Sequence, residues 1–138
     1  MAKFSQLSLE RLATCDVRLQ VILNKVIEHI DFAVVEGHRG EAAQEAAFKL
    51  RRSDKHWPNG NHNSSPSRAV DIAPFVNGMI QWSDLVAFGR LMGYVQAIAD
   101  IHEVRLRFGL DWNGDFLTVG VDKKEHLLDA PHLELLDL

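Results

Sequence analysis

Three side chains that can bind a metal ion stand out in two distant stretches of the sequence. His62 and Asp71 lie within a turn-rich stretch, residues 61–74, and His132 lies near the C-terminus. Asp71 has alanine, valine and isoleucine neighbours, and a carboxylate among apolar groups is costly to bury unless it is paired or binds a metal. Two imidazoles and one carboxylate, with a fourth position left to water, are typical of a catalytic zinc site. The sequence therefore predicts an open zinc site in a cleft.

Other interpretations of the same residues remain open at the level of sequence. Asp71 can pair with Arg68 or with a backbone amide instead of a metal ion. The chain has seven histidines, and His56, which shares a loop with His62, is an alternative first ligand. Residue type alone therefore does not choose between a metal site and a paired carboxylate.

Two acidic residues near His132 compete for the role of general base. The period of two along a strand places Glu134 on the same face as His132. Asp129 precedes Pro131, which fixes its own φ and biases Ala130 toward an extended backbone, so Asp129 can turn back toward the metal. Glu134 is then placed to hydrogen-bond the ligating histidine, as such ligands usually require. Strand periodicity alone nominates Glu134 as the base, the bend at Pro131 also allows Asp129, and the residues by themselves leave both open.

The hydrophobic pattern predicts the elements that must bring these residues together. Apolar residues recur at helical spacing from Ser8 to Ile30, which indicates one long amphipathic helix with Ser8 as its N-cap. Asn77–Gly78 is a strong signal for a tight hairpin turn, and Ser83 can cap a helix that ends near Glu103. The order is that of an α+β fold, with about three helices flanking a small antiparallel sheet. The remaining predicted elements are strands at 32–36, 69–73, 105–109 and 132–136 and an alanine-rich helix at 41–51.

The size and charge of the chain exclude several classes of protein. A length of 138 residues with 46% hydrophobic and 25% charged residues is typical of one globular domain, residues 1–138. A net charge of -4 gives no basic surface for nucleic acid. Cys15 is the only cysteine, so no intramolecular disulfide can form. Neither a signal peptide nor a long apolar run is visible, so we expect synthesis in the cytoplasm and no stable membrane insertion.

Several motifs stand in a fixed order along the chain. They are Ala-Val-Asp-Ile-Ala-Pro at 69–74, Asn-Gly at 77–78, Arg-Phe-Gly-x-Asp-Trp-Asn-Gly at 107–114 and Asp-x-x-His-x-Glu at 129–134. This order resembles a known family of zinc peptidases, which joins the vancomycin-resistance D,D-dipeptidases, the D-alanyl-D-alanine carboxypeptidases and the phage L-alanyl-D-glutamate endolysins. The similarity spans residues 34–135, is closest to the endolysin branch, and implies the D-Ala-D-Ala carboxypeptidase or Hedgehog-like fold.

The resemblance also implies a role for individual residues around one Zn²⁺ per chain. The base in that family is the acidic residue three before the last histidine, here Asp129, and an arginine after the first buried strand, here Arg39, stabilises the oxyanion. In relatives the first histidine and the aspartate often stand closer together than His62 and Asp71, so His56 stays an alternative ligand. The implied metal ligands are His62, Asp71 and His132, and the residues implied to contact substrate or support the site are Gln44, Glu134 and Ser67.

The function that the resemblance implies is lysis of a bacterial host. We expect a phage endolysin that hydrolyses peptidoglycan stem peptides at the L-alanyl-D-glutamate bond. The alternatives are a D-alanyl-D-alanine carboxypeptidase or dipeptidase, and a non-catalytic peptidoglycan-binding module with structural zinc. The protein would act as a monomer without a separate wall-binding domain. It would reach the periplasmic wall after a holin releases it from the host cytoplasm.

Overall fold

The structure is a computed structural model that describes residues 2–114 and 129–137. Within these ranges the chain forms four α-helices, five strands and a short 3₁₀ helix at Asn61–Asn63. The helices are α1 Gln6–Leu12, α2 Val17–Val26, α3 Glu41–Lys49 and α4 Leu85–Ile101. The strands are β1 Phe32–Glu36, β2 Ala69–Val76, β3 Met79–Ile80, β4 Leu106–Phe108 and β5 His132–Leu135. The predicted α+β class is confirmed.

The strands form one antiparallel sheet in the order β1-β2-β5-β4, and β3 pairs with the far end of β2. The predicted hairpin turn between β2 and β3 is confirmed. Asn77 and Gly78 both have positive φ, 52° and 78°, as the tightest hairpin turns require. β2 and β5 occupy the centre of the sheet, so residues on them are held by neighbours on both sides.

The two faces of the sheet have different chemistry because side chains alternate along each strand. Val70, Leu133 and Phe108 lie opposite one another on β2, β5 and β4, and all three are buried in the hydrophobic core. The alternate positions on the same strands carry Asp71, His132, Glu134 and Arg107. The polar residues predicted to form a site therefore share the face opposite the core.

Helices α2 and α4 cover the apolar face of the sheet. Their fully buried side chains recur at three and four residue intervals, so each helix turns one stripe toward the strands. Packing of this kind fixes the strands that carry the site without help from any ligand. The stripe residues that join the core cluster are Leu19, Ile22, Leu23 and Val26 on α2, and Leu91, Met92, Val95 and Ala99 on α4.

The prediction of one long helix from Ser8 is wrong, because the chain forms α1 and α2 with a break between them. The backbone of the break pairs with a distant residue: the Ser67 amide donates to the Thr14 carbonyl at 2.9 Å, and the Asp16 amide donates to the Ser67 carbonyl at 2.8 Å. The Asp16 carboxylate then accepts from the Arg18 amide at 2.9 Å and begins α2. This break joins the helices to the loop that leads into β2.

Two of the predicted helix caps are also shifted along the chain. Ser5 rather than Ser8 caps α1, and the Ser8 hydroxyl instead accepts a hydrogen bond from the Val34 amide of β1 at 3.0 Å. Asp84 rather than Ser83 caps α4, because its carboxylate accepts from an amide in the first turn. Both neighbours can cap a helix, so the choice depends on where the helix packs. Within the described ranges, no helix has the length and apolar character that a membrane crossing requires.

Candidate active site

The structure brings together the three predicted metal ligands His62, Asp71 and His132. His62 lies in the 3₁₀ helix that ends the loop after α3, Asp71 lies on β2, and His132 begins β5 directly opposite Asp71. The Nε2 atom of His62, the Oδ1 atom of Asp71 and the Nδ1 atom of His132 are each 3.2 Å from the other two. These three side chains, here called the ligand group, could hold a metal ion.

The second nitrogen of each histidine fixes which nitrogen faces the ligand group. Nδ1 of His62 lies 2.8 Å from the Gly37 carbonyl, which can only accept, so this nitrogen donates. Nε2 of His132 lies 2.8 Å from a carboxylate oxygen of Glu134, so it donates as well. The other nitrogen of each ring faces the ligand group, and in a neutral ring that binds a metal ion this nitrogen would carry the lone pair. Such second hydrogen bonds are the usual way to orient metal-binding histidines.

The electrostatics of the ligand group favour a cation. Burial opposes ionisation of Asp71, but hydrogen bonds with His132 and His62 outweigh it and hold the pKa of Asp71 below its ordinary value. Burial also opposes protonation of His132, yet hydrogen bonds to Asp71 and Glu134 raise the pKa of His132 to about 9. The carboxylates therefore stay ionised, and their negative potential draws positive charge to the ring between them.

Glu134 lies behind His132 and is fully engaged in holding it. Its Oε1 atom contacts Nε2 of His132 at 2.8 Å, while Oε2 accepts from Asn61 at 2.7 Å and from Arg107 at 2.8 Å. Burial works against ionisation of Glu134, but the His132 hydrogen bond and charge and the Arg107 contact lower the pKa of Glu134 to about 2. Glu134 is therefore an ionised acceptor on the side of the histidine ring that faces away from Asp71.

Changing Glu134 to glutamine should weaken metal binding by roughly tenfold to a hundredfold, because the amide is a poorer and less certain acceptor for the His132 ring. Titration of the metal against a chelator of known affinity measures this loss. Glu28→Gln, which removes an exposed carboxylate from the turn after α2, is the matched control. Unchanged metal affinity in Glu134→Gln would show that His132 is oriented without this carboxylate.

Asp129 is held against the ligand group by the backbone of Gly109. The Asp129 amide donates to the Gly109 carbonyl at 2.9 Å, and the Asp129 carbonyl accepts from the His132 amide at 3.1 Å. A side chain at Gly109 would overlap the carbonyl oxygen of Asp129, so glycine permits this close approach. Burial, and secondly the charge of Asp71, raise the pKa of Asp129 above its ordinary value. A raised pKa suits a carboxylate that must accept a proton near neutral pH.

Arg39 lies on the β1 side of the ligand group and is only 8% exposed. Its guanidinium forms a two-point contact with Glu36, at 3.0 Å and 2.7 Å, and one Nη atom stands 4.0 Å from the second oxygen of Asp71. Burial disfavours the charged form of Arg39, but the contacts with Glu36 outweigh it and raise the pKa of Arg39. A permanent positive charge is thus fixed at the edge of the ligand group.

Gln44 positions Arg39 from beneath and is itself completely buried, with 0% exposure. Its amide oxygen accepts from Arg39 at 3.0 Å and from Asn63 at 2.9 Å, and its amide nitrogen donates to Ser53 at 3.0 Å and to the Lys55 carbonyl at 2.7 Å. All four hydrogen-bonding positions are used. Of the two roles predicted for Gln44, the structure favours support of the site over contact with substrate.

Ser67 is predicted either to contact substrate or to support the site, and its position favours support. It is fully buried, and its hydroxyl donates to the Ala69 carbonyl at 2.6 Å. Its backbone pairs with Thr14 and Asp16 at the break between α1 and α2. Ser67 therefore fixes the backbone at the start of β2, four residues before Asp71. It supports the site only through the backbone.

The alternative pairings considered from sequence lie elsewhere in the structure. His56 is 58% exposed, and its Nδ1 atom contacts Glu45 at 2.9 Å on the outer face of α3. Arg68 pairs with Asp137 at 2.6 Å instead of with Asp71. Neither residue belongs to the ligand group, so the geometry favours His62 over His56.

Arg107 and Trp112 border the site, a position that their place in the sequence does not indicate. Arg107 lies opposite Glu134 across the β4–β5 pairing, and its guanidinium carbon stands 5.8 Å from the centre of the Trp112 ring. That ring is 5.5 Å from the ring of His132. The only signal in the sequence was the Arg-Phe-Gly motif, because strand alternation puts Arg107 and Phe108 on opposite faces.

Comparison with known proteins agrees with this arrangement. A family model described as phage L-alanyl-D-glutamate peptidase matches residues 1–136. The chain is 31% identical over 138 residues to the L-alanyl-D-glutamate peptidase of Escherichia phage T5, covering 97% of this chain and 98% of that protein. Such a match over the whole length extends to both halves of the site, the loop before β2 and strand β5.

A solved structure shares the fold at lower sequence identity. The crystal structure of the Serratia marcescens L-Ala D-Glu endopeptidase ChiX superposes with a TM-score of 0.76 at 20% identity, covering 97% of this chain and 90% of that one. At this identity the likeness shows the fold alone. The predicted family resemblance is confirmed by the family match and by the phage relative together: the chain belongs to the phage L-alanyl-D-glutamate peptidase family.

Proposed function

We propose that this protein is a phage endolysin that hydrolyses the L-alanyl-D-glutamate bond of peptidoglycan stem peptides and so lyses the host cell. This bond is proposed because the family and the phage T5 relative are both named L-alanyl-D-glutamate peptidase. The observation that carries the proposal is the ligand group of two histidines and an aspartate, whose three ligand atoms lie 3.2 Å from one another. The influence of the Asp71 charge on Asp129 and the 4.0 Å separation of Arg39 from Asp71 support roles for both residues beside the ligand group.

Zinc is the metal that the ligand group fits best. Mg²⁺ takes oxygen ligands, whereas two of the three ligand atoms here are nitrogens. Two imidazole nitrogens and one carboxylate oxygen also suit zinc in chemical type. His62, Asp71 and His132 would hold one ion per chain and leave a position open.

When bound, zinc would lower the pKa of water toward neutrality and polarise the scissile carbonyl group. Asp129 would accept the proton of the attacking water and later transfer it to the leaving amine of the substrate. Asp129 would therefore both accept and donate a proton. Its raised pKa supports this, because a stronger acid would donate a proton but would not accept one. No covalent intermediate with the protein is needed.

Arg39 would stabilise the negative charge that develops on the carbonyl oxygen of the scissile bond. Glu36 and Gln44 hold its guanidinium in place before the substrate arrives, so little reorganisation is needed during the reaction. Its position beside Asp71 supports a contact with the oxygen of a substrate bound at the ligand group. An interaction that is made only when the oxyanion forms stabilises the transition state. It therefore lowers the activation barrier and not the dissociation constant of the substrate.

The proposal extends to where and how the protein acts. As an endolysin it would be made in the host cytoplasm, pass the inner membrane with the help of a holin, and act as a monomer at the periplasmic wall. Residues 1–138 would form a catalytic domain. The resemblance to phage endolysins supports these points, and the peptidoglycan stem peptide is the partner they require.

Mass spectrometry of fragments released from purified peptidoglycan tests the proposed bond. We expect glycan strands that keep L-alanine and free peptides that begin with D-glutamate, and no release after chelation of the metal. Loss of terminal D-alanine instead would identify a carboxypeptidase or dipeptidase. Binding to peptidoglycan without release of any fragment would identify a non-catalytic module with structural zinc.

A further inference from the structure

Arg107 is a second arginine on the face of the sheet that carries the ligand group. Glu134 of β5 lies between Ala69 of β2 and Arg107 of β4, and this row is adjacent to the row that holds Asp71 and His132. Residues directly opposite one another in a sheet point to the same side. Arg107 therefore flanks the ligand group on the β4 side, whereas Arg39 flanks it on the β1 side.

The guanidinium of Arg107 is held in place but keeps unused hydrogen-bonding capacity. It has five N–H donors, and in the described part of the chain one of its Nη atoms donates to Glu134 at 2.8 Å. That part of the chain offers no acceptor to its other donors, and its side chain is 43% exposed. The Trp112 ring lies 5.8 Å from its guanidinium carbon and restricts its movement. Arg107 is thus a positioned cation that is open to solvent.

Arg39, by contrast, has little capacity for a further carboxylate. Its guanidinium already makes two contacts with Glu36 and one with Gln44, and its side chain is 9% exposed. A second carboxylate at Arg39 would also stand beside the negative charges of Glu36 and Asp71. An acidic group of the substrate is therefore better accommodated by Arg107.

The proposed substrate carries such an acidic group next to the bond that is cut. Glutamate has two carboxyl groups, and only one of them continues the stem peptide, so the other remains as a free carboxylate. In a stem that continues through the glutamate side chain, the free carboxylate carbon lies about 2.5 Å from the nitrogen of the scissile bond. When this bond lies at the ligand group, the negative charge of the free carboxylate lies close by. Two carboxylates of the protein are already present there.

We propose that Arg107 binds the free carboxylate of the D-glutamate residue and thereby sets the specificity of the site. The inference rests on the proposed function and adds a substrate-binding residue to it. Arginine suits this role because its planar fork can donate two parallel hydrogen bonds to a carboxylate. The existing bond to Glu134 orients the fork, and through Glu134 and His132 it ties the substrate carboxylate to the metal-binding side chains.

Two peptides that differ in one group test this assignment. They are acetyl-L-alanyl-γ-D-glutamyl-L-lysine and the same peptide with the free glutamate carboxylate replaced by a carboxamide. Wild type should cleave the carboxylate peptide with a kcat/KM about tenfold to a hundredfold higher, as expected for a charge-assisted contact. In Arg107→Gln the two values should agree within about threefold, and the loss should appear mainly in KM. Arg107→Lys should retain part of the preference.

The ratio between the two peptides separates recognition from damage to the site. Any loss of metal or of folded protein in Arg107→Gln lowers both values equally and leaves the ratio unchanged. Arg90→Gln, on the exposed side of α4, should keep the wild-type ratio. Calorimetric binding of the same two peptides to metal-loaded Asp129→Asn should show the same preference without turnover, and its loss when Arg107→Gln is added.

Three results would contradict the inference. A wild-type enzyme without preference, or an Arg107→Gln variant that keeps the full preference, would overturn the role of Arg107 while leaving the proposed function intact. A wild-type enzyme that cleaves neither these peptides nor the L-alanyl-D-glutamate bonds of purified peptidoglycan would overturn both.

Discussion

Changing Asp129 to asparagine should lower kcat by about two to four orders of magnitude while the metal content stays near one ion per chain. Asparagine keeps the size of the side chain and can still hydrogen-bond, but it cannot accept a proton from water. The backbone bonds that hold residue 129 to Gly109 and His132 do not involve the side chain, so the substitution should leave this segment in place. Turnover of a soluble stem peptide and metal analysis of the same preparation measure the two quantities.

Glu134 is the competing base, and the structure gives a physical reason to prefer Asp129. Both oxygens of Glu134 are engaged, and they lie on the Nε2 side of His132, whereas the ligand group lies on the Nδ1 side. The lowered pKa of Glu134 makes it a poor proton acceptor, while the pKa of Asp129 is raised. Asp100→Asn, an exposed change on α4, is the control. A greater loss of turnover in Glu134→Gln than in Asp129→Asn, at equal metal content, would reverse the assignment.

The sequence predicted the parts of the site that depend on local chemistry. Asp71 could be identified because a carboxylate between apolar neighbours on a strand must have a strong partner. The contact of Glu134 with His132 followed from strand alternation, which puts both side chains on one face. These arguments involve residues close together in the chain, where geometry is set by secondary structure.

Features that depend on distant pairing could not be predicted in the same way. The break between α1 and α2 exists because Thr14 and Asp16 pair with the backbone of Ser67, and periodicity alone continues across it. The position of Arg107 beside Glu134 depends on the register of β4 against β5. No residue of either strand indicates this register in the sequence. Register of this kind is fixed by packing of the whole sheet.

The burial of Gln44 illustrates the same limit within the site. Its place in an alanine-rich helix suggests nothing about a partner, yet four hydrogen bonds fix it between Arg39, Asn63 and the loop after α3. The loop that carries His62 is therefore tied to Arg39 through buried amides as well as through the backbone, since the Arg39 amide donates to the His62 carbonyl at 2.7 Å. Arg39 and His62 are thus expected to move as one unit.

Changing His62 to alanine should abolish tight zinc binding, whereas His56→Ala should bind zinc as the wild type does. Only two ligands remain in this variant. Loss of a direct ligand should lower zinc affinity by more than the roughly tenfold to hundredfold that follows loss of a ligand's hydrogen-bond partner. His56 is the matched control because it lies in the same loop but pairs with Glu45 at the surface. Chelator competition measures the affinity, and cleavage of peptidoglycan measures the activity that depends on it.

The fold of His62→Ala should persist, because the core formed by α2, α4 and the sheet contains no part of the ligand group. A cooperative thermal transition in the variant, together with lost zinc binding, would separate a catalytic ion from a structural one. The opposite pattern, with tight binding in His62→Ala and weak binding in His56→Ala, would move the first ligand to His56. That result would require the loop after α3 to rearrange, because the His62 ring now lies between the Gly37 carbonyl and the Asp71 carboxylate.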